Sequence, residues 1–206
     1  ISNGIVEANI EHKFNENDLV IVMWSSVSRE DRYKNSWVTP GNIYTQDFIQ
    51  MDFVYKWADT RGYLIRDLAL VELTRQYLKN LTCDSDMLSM CKFTDQVVLD
   101  DRKEDVFKDV LEHYKETIKS VKPDILQSVY NGVWPQTPIR GWGGNGQTAD
   151  YHPTPIGHYK YLENLYPNLV TEKMKLYAEK YETLIRGISS LDETQKFWSV
   201  NNVRRL

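Results

Sequence analysis

The stretch Asn15-Glu16-Asn17-Asp18-Leu19-Val20-Ile21-Val22-Met23-Trp24-Ser25-Ser26 decides the fold class. Its centre is an unbroken apolar run rich in β-branched residues, too short for an ordinary helix and set directly after turn-forming Asn and Asp. Such a run reads as a strand buried on both faces, the habit of parallel sheets. Upstream, Ile5, Val6, Ile10 and Phe14 recur near helical spacing with Glu7 and Glu11 between them, so residues 5–14 read as the tail of a helix. Helix, turn and buried strand in that order are the signature of an α/β chain.

Working outward, residues 25–44 are rich in Ser, Arg, Asp, Trp, Pro and Gly, with Pro40-Gly41-Asn42 as a turn. They read as a long loop leaving the C-terminal end of the strand, where open α/β sheets bind ligands. Helices are expected over 45–58 and 62–81, the second with Leu64, Leu68, Val71 and Leu78 on one face. A short strand over 87–91 follows, then a helix over 104–120 carrying Val106, Val110, Leu111 and Ile118 and ended by Lys122-Pro123-Asp124. Residues 125–151 hold Trp134-Pro135, Thr137-Pro138 and Gly141-Trp142-Gly143-Gly144-Asn145-Gly146 and read as an ordered functional loop. A helix should start just after Pro153, with further helical stretches over 159–165 and 169–188 and a basic tail at Val203-Arg204-Arg205-Leu206.

Composition bounds the function. The 206 residues suit one domain, and 41% hydrophobic with 26% charged residues is the usage of a soluble globule, which excludes collagen-like, coiled-coil and disordered classes. A net charge of −4 lacks the basic field that a phosphate backbone requires, so no nucleic-acid partner is expected. No apolar run approaches the ~18 residues that span a bilayer, so no membrane partner is expected either. The chain opens on Ile1, and loss of an N-terminal segment is expected. Localisation stays open between cytoplasmic and virion-associated. Cys83 and Cys91 lack metal-site companions at suitable spacing, so they read as unpaired thiols, and neither metal nor other cofactor is expected.

The aromatic fraction, 12% with 6 Trp and 13 Tyr, is the unusual number. One loop carries Trp24, Arg29, Arg32, Tyr33, Trp37 and Tyr44; another carries Trp134, Arg140 and Trp142. Rings beside guanidinium groups suit an acidic or acylated glycan, which makes Trp24, Trp37, Trp134 and Trp142 stacking candidates. The same rings would serve equally as anchors for long loops.

The sharpest chemical motif is Asp150-Tyr151-His152-Pro153-Thr154-Pro155-Ile156-Gly157-His158. Acyl transfer needs an imidazole to take and return a proton and a carboxylate to fix its tautomer, and His152 with Asp150 can supply both. The plainer reading has Asp150 capping the helix and His152 packing beside it.

This segment resembles the last conserved block of the SGNH/GDSL hydrolases. The opening Ile1-Ser2-Asn3-Gly4-Ile5-Val6 is similar to that family's second block, and the strand running into Trp24-Ser25-Ser26 with Arg29-Glu30 is similar to its third, in a divergent branch found among phages, large viruses and polysaccharide clusters. The resemblance implies a flavodoxin-like three-layer α/β sandwich around a parallel sheet, with inserted helices. It implies one domain over 1–206 that lacks the first strand and the serine nucleophile block, both upstream of Ile1. It also implies that His152 is the general base, Asp150 its orienting carboxylate, and Asn3, Gly4, Ser25 and Arg29 the oxyanion or substrate donors. Two departures stand out: one residue separates Asp150 from His152 where the family has two, and Trp24-Ser25-Ser26 replaces the usual Gly-x-Asn-Asp.

The expected function is an ester hydrolase acting on a small-molecule or glycan ester. The alternative is a non-catalytic glycan-binding or virion structural module on the same fold, or part of a larger viral or polysaccharide-related assembly.

Overall fold

A computed structural model describes residues 1–33, 37–42, 51–94, 105–135, 137–139, 148–150 and 152–187. The chain divides into two compact units, Ile1–Asp124 and Ile125–Leu206, each a mixture of helix and strand.

The first unit opens with helix α1, Ser2–His12. Lys13 ends it in a left-handed conformation, its N–H bonded back to the Asn9 carbonyl at 2.9 Å. Asn15 and Asp18 then close a turn on each other, the Asn15 N–H donating to Asp18 Oδ2 at 2.9 Å and the Asp18 N–H to the Asn15 carbonyl at 3.0 Å. That turn delivers the chain into strand β1, Leu19–Trp24. A hairpin follows, strands β2 (Arg29–Tyr33) and β3 (Trp37–Asn42), paired antiparallel with an irregularity between Glu30 and Arg32. Helix α2 (Met51–Trp57) and the long helix α3 (Thr60–Lys79) lead to strand β4 (Asp84–Ser89).

Strands β1 and β4 form a two-stranded parallel sheet in register from Leu19 opposite Asp84 to Trp24 opposite Ser89. Helices α4 (Asp105–His113) and α5 (Lys115–Lys119) then carry the chain back to Val121, which bridges Met87 in the parallel sense. Parallel neighbours cannot be joined by a tight turn, and here both crossovers contain helices.

The core lies on one face of this sheet. Val22 and Trp24 from β1 and Met87 from β4 pack with Leu64, Leu68, Val71 and Leu78 along one stripe of α3 and with Phe107 and Val110 of α4. Burying each such aliphatic side chain stabilises the fold by about 1.5–3 kcal/mol. The expectation that β1 is buried on both faces is corrected: Leu19 and Ile21 are each 39% exposed. Successive strand residues point to opposite faces, and the α3 and α4 side chains of this core pack on the face that Val22 and Trp24 occupy, away from Leu19 and Ile21.

Other expectations shift in detail. Residues 25–44, read as loop, contain the β2–β3 hairpin. The short strand begins at Asp84 rather than 87. The single helix over 104–120 is two helices broken at Tyr114. Cys83 and Cys91 are buried and form no disulfide.

The second unit contains helix α6 (Ile125–Tyr130), strands β5 (Thr137–Ile139) and β6 (Thr148–Asp150), and helices α7 (Pro155–Leu165) and α8 (Glu172–Gly187). β5 and β6 pair antiparallel, Thr137 opposite Asp150, so the segment read as one loop over 125–151 holds a helix and two strands. α7 starts at Pro155 and runs unbroken through the stretch expected as a separate helix over 159–165. Proline suits that first position because its missing N–H would have had no helical partner. Thr154 is the N-cap, its hydroxyl accepting from the Gly157 N–H at 3.2 Å, so the cap is not Asp150.

Candidate functional site

In the first unit, a cavity of about 250 Å³ opens at the C-terminal end of β1. Asn3 from the first turn of α1, Trp24 at the end of β1, Ser25 just beyond it, Arg29 at the start of β2, and Arg66 with Asp67 on α3 all line it. β1 ends here and the chain must leave the sheet, while α1 and α3 are tied together by the Ser2 and Thr74 hydroxyls at 2.9 Å and by Asn9 Nδ2 donating to the Tyr77 hydroxyl at 3.0 Å. These ties hold α1 beside the C-terminal half of α3.

The electrostatics of the cavity follow from Asp67. Its Oδ2 accepts the Ser28 N–H at 2.8 Å and its Oδ1 accepts Arg66 Nε at 2.7 Å. Arg66 also donates Nη2 to the Arg29 carbonyl at 2.7 Å and lies over the Tyr63 ring. The one carboxylate among the described lining residues is therefore held by protein donors. The Arg29 side chain, half-buried, makes no ion pair with the described residues. Ser25 Oγ donates only a long 3.5 Å bond to the Ser26 carbonyl, near the outer limit of hydrogen bonding.

Of the residues selected from sequence in this unit, Asn3, Trp24, Ser25 and Arg29 meet at one cavity and Gly4 does not line it. A β-carbon on Gly4 would meet nothing within 4 Å. Trp24, selected as a stacking ring, is 8% exposed and packs in the hydrophobic core while lining the cavity. Its indole Nε1 is buried without a hydrogen-bond partner among the described residues.

In the second unit, His152 is exposed and stands between β6 and α7. The turn that follows it is pinned, because the Thr154 N–H donates to the Tyr130 hydroxyl at 3.0 Å and Pro153 is buried. Six residues on, His158 has its pKa lowered, first by the cost of desolvating its charged form and then by the charge of His152. Its surface is largely open to solvent, yet the surrounding protein still withdraws enough water to favour the neutral ring. Asp150 pairs with Thr137 in β6, and its side chain lies outside the described residues. Trp134 is half-buried. The side chain of Trp37, and Arg140 and Trp142 entirely, also lie outside the described residues.

Three contributors escaped the sequence reading. Arg66 and Asp67 sit on the α3 stripe beside the buried Leu64 and Leu68, and a charged pair one residue from a core position was the available signal. Tyr130 gave none, since its contact to Thr154 spans 24 positions. Among the described residues no cluster of three or more His, Cys, Asp or Glu could hold a metal ion, and no helix is long and apolar enough to cross a membrane.

No protein-family model matches the chain, and no curated protein or solved structure matches it either.

Proposed function

We propose that the chain is an SGNH-type ester hydrolase acting on an acylated carbohydrate, built on a flavodoxin-like three-layer sandwich. The observation that carries this reading is the meeting of Asn3 and Ser25 at one cavity at the C-terminal end of a parallel strand. Those are the two places from which the resemblance draws oxyanion donors, and open α/β sheets bind ligands at that end. The progression from β1 to β4 to Val121, each parallel to the last, agrees with a doubly wound sheet.

In this reading a serine from a segment preceding Ile1 attacks the ester carbonyl. His152 accepts the serine proton and returns it to the departing alcohol, leaving an acyl-serine that water then hydrolyses by the same relay. Asp150 holds the imidazole in the tautomer that leaves one ring nitrogen open. Asn3 and Ser25, at the cavity of the first unit, are donors of the kind that hold an oxyanion, an effect worth about 10²–10³ in rate per donor in known hydrolases.

The test is His152→Ala in the longest natural form of the protein, assayed against acetylated oligosaccharides. Loss of turnover with an intact fold supports the reading; undiminished hydrolysis ends it. A second reading, a non-catalytic glycan-binding or virion structural module, draws on the local commitments of two of the three serines that line the cavity among the described residues, Ser2 and Ser25. Ser2 shares its hydroxyl with Thr74 and Ser25 with the Ser26 carbonyl, and neither has a base among its described partners. Sequence upstream of Ile1 separates the two: a strand ending in Gly-x-Ser favours the enzyme.

A further inference from the structure

We propose that the cavity at the end of β1 binds a carboxylate-bearing sugar residue, with Arg29 pairing the carboxylate and the Trp24 indole N–H donating to the same ligand. The proposal rests on the reading of this cavity as the substrate site and adds the charge of the substrate to it.

The cavity presents donors that the protein leaves unspent. Among the described residues two guanidinium groups and one carboxylate line the cavity, so these side chains carry a net charge of +1 (Arg29 and Arg66 against Asp67). Asp67 is fully engaged by the Ser28 N–H and Arg66 Nε, and Arg66 is fixed between Asp67 and the Arg29 carbonyl. Arg29 is left with no carboxylate among the described residues, half-buried at the rim. Trp24 adds a donor that is more than nine-tenths buried and has no acceptor there. A buried N–H without an acceptor costs roughly 1–3 kcal/mol, a cost that a ligand oxygen removes once a small shift of the Trp24 ring opens Nε1 to the cavity that Trp24 lines. Asn3 and Ser25 bring further N–H and O–H groups, whereas the one anionic acceptor among the described lining residues is already taken. Such a set selects an anionic oxygen ligand. Between anions, the planar fork of arginine matches a carboxylate with two parallel bonds, and a cavity of about 250 Å³ admits little more than one sugar ring.

The experiment is a titration of the ¹⁵N-labelled full chain with glucuronate, glucose and inorganic sulfate, following the indole N–H resonances. The Trp24 signal is the one absent from Trp24→Phe. Glucuronate should shift that resonance saturably, glucose should leave it unmoved, and sulfate should bind at least tenfold more weakly. Arg29→Met should weaken glucuronate at least tenfold and Arg29→Lys by less, with unchanged dispersion of the remaining amide signals confirming that both variants fold. Equal binding of glucose, tighter binding of sulfate, indifference to Arg29→Met, or no shift at all overturns the proposal. The titration needs no turnover, so glucuronate binding in a protein without esterase activity would remove the hydrolase reading and leave this one standing.

Discussion

The hydroxyl of Tyr130 occupies the place where a β-carbon on Gly157 would stand. Gly157 belongs to the Gly-His pair that closes the His152 segment, and its smallness serves packing rather than backbone freedom. Tyr130 approaches α7 closely enough to accept the Thr154 N–H at 3.0 Å, and Thr154 in turn caps α7 through the Gly157 N–H. Gly157→Ala must therefore expel Tyr130 and forfeit that bond, at about 1–3 kcal/mol. In a Tyr130→Ala background the added cost should fall below about 0.5 kcal/mol, because the obstacle is gone. Urea denaturation of the four proteins in this cycle checks it; equal costs in both backgrounds would exonerate Tyr130.

Glu72 on α3 should make stability depend on pH. Its carboxylate is held from 4.5 down to about 2, chiefly by hydrogen bonds from Arg75, with Thr117 of α5 and Gln76 adding to them against a desolvation cost. Arg75 donates Nε and Nη2 at 2.7 Å each, and the Thr117 hydroxyl donates at 2.6 Å. The folded pKa lies below the unfolded one, so the unfolded chain binds the proton first as pH falls. The contribution is therefore complete above about 4.5 and disappears as pH drops toward 2. With partial solvent screening it amounts to about 1–2 kcal/mol at neutral pH. Glu72→Gln should flatten the stability profile across that window, and a profile identical to that of the parent chain would rule the contribution out.

His158 should titrate below the ordinary histidine range of about 6.5, for two separable reasons. Desolvation is the larger cause and the charge of His152 the smaller. In His152→Asn the His158 pKa should rise but stay below about 6.5, since the desolvation by the surrounding protein persists. Because the folded state prefers the neutral ring, this group's contribution is present above about 6.5 and is lost as pH falls below it. Imidazole NMR titration reads both shifts; an unmoved His158 in the variant would mean that the two rings do not sense each other.

How much of this was legible in the sequence depends on the range of the interaction. The Leu19–Trp24 strand and the Leu64, Leu68, Val71 and Leu78 stripe of α3 announced themselves, because periodicity is local and burial follows it. The open face at Leu19 and Ile21 did not, since an apolar residue carries the same letter whether or not a layer covers it. The β2–β3 hairpin was hidden because Arg29–Tyr33 is nearly all charged and Trp37–Asn42 contains Pro40 and Gly41, residues that ordinarily argue against a strand. At the site, the clustering of Trp24, Ser25 and Arg29 was readable from adjacency in the chain. The arrival of Arg66 and Asp67 was not, being fixed by how α3 packs across the end of β1.

Ser28 offers a test with the opposite sign from most substitutions. It is completely buried, holds φ at 65° in the left-handed region, and its Oγ has no hydrogen-bond partner among the described residues. A left-handed backbone costs a non-glycine residue about 1–2 kcal/mol, and a buried hydroxyl without a partner costs about 1–3 kcal/mol. Glycine removes both at a price of about 0.5–1 kcal/mol in unfolded-chain entropy. Ser28→Gly should therefore stabilise the protein, by roughly 1 kcal/mol or more, while the Ser28 N–H bond to Asp67 survives because it is made by backbone. Ser28→Ala removes only the hydroxyl cost and should fall between the two. Thermal or urea unfolding that ranks serine above glycine would show that Oγ is satisfied after all, and that the loop between β1 and β2 is held by a contact to that hydroxyl.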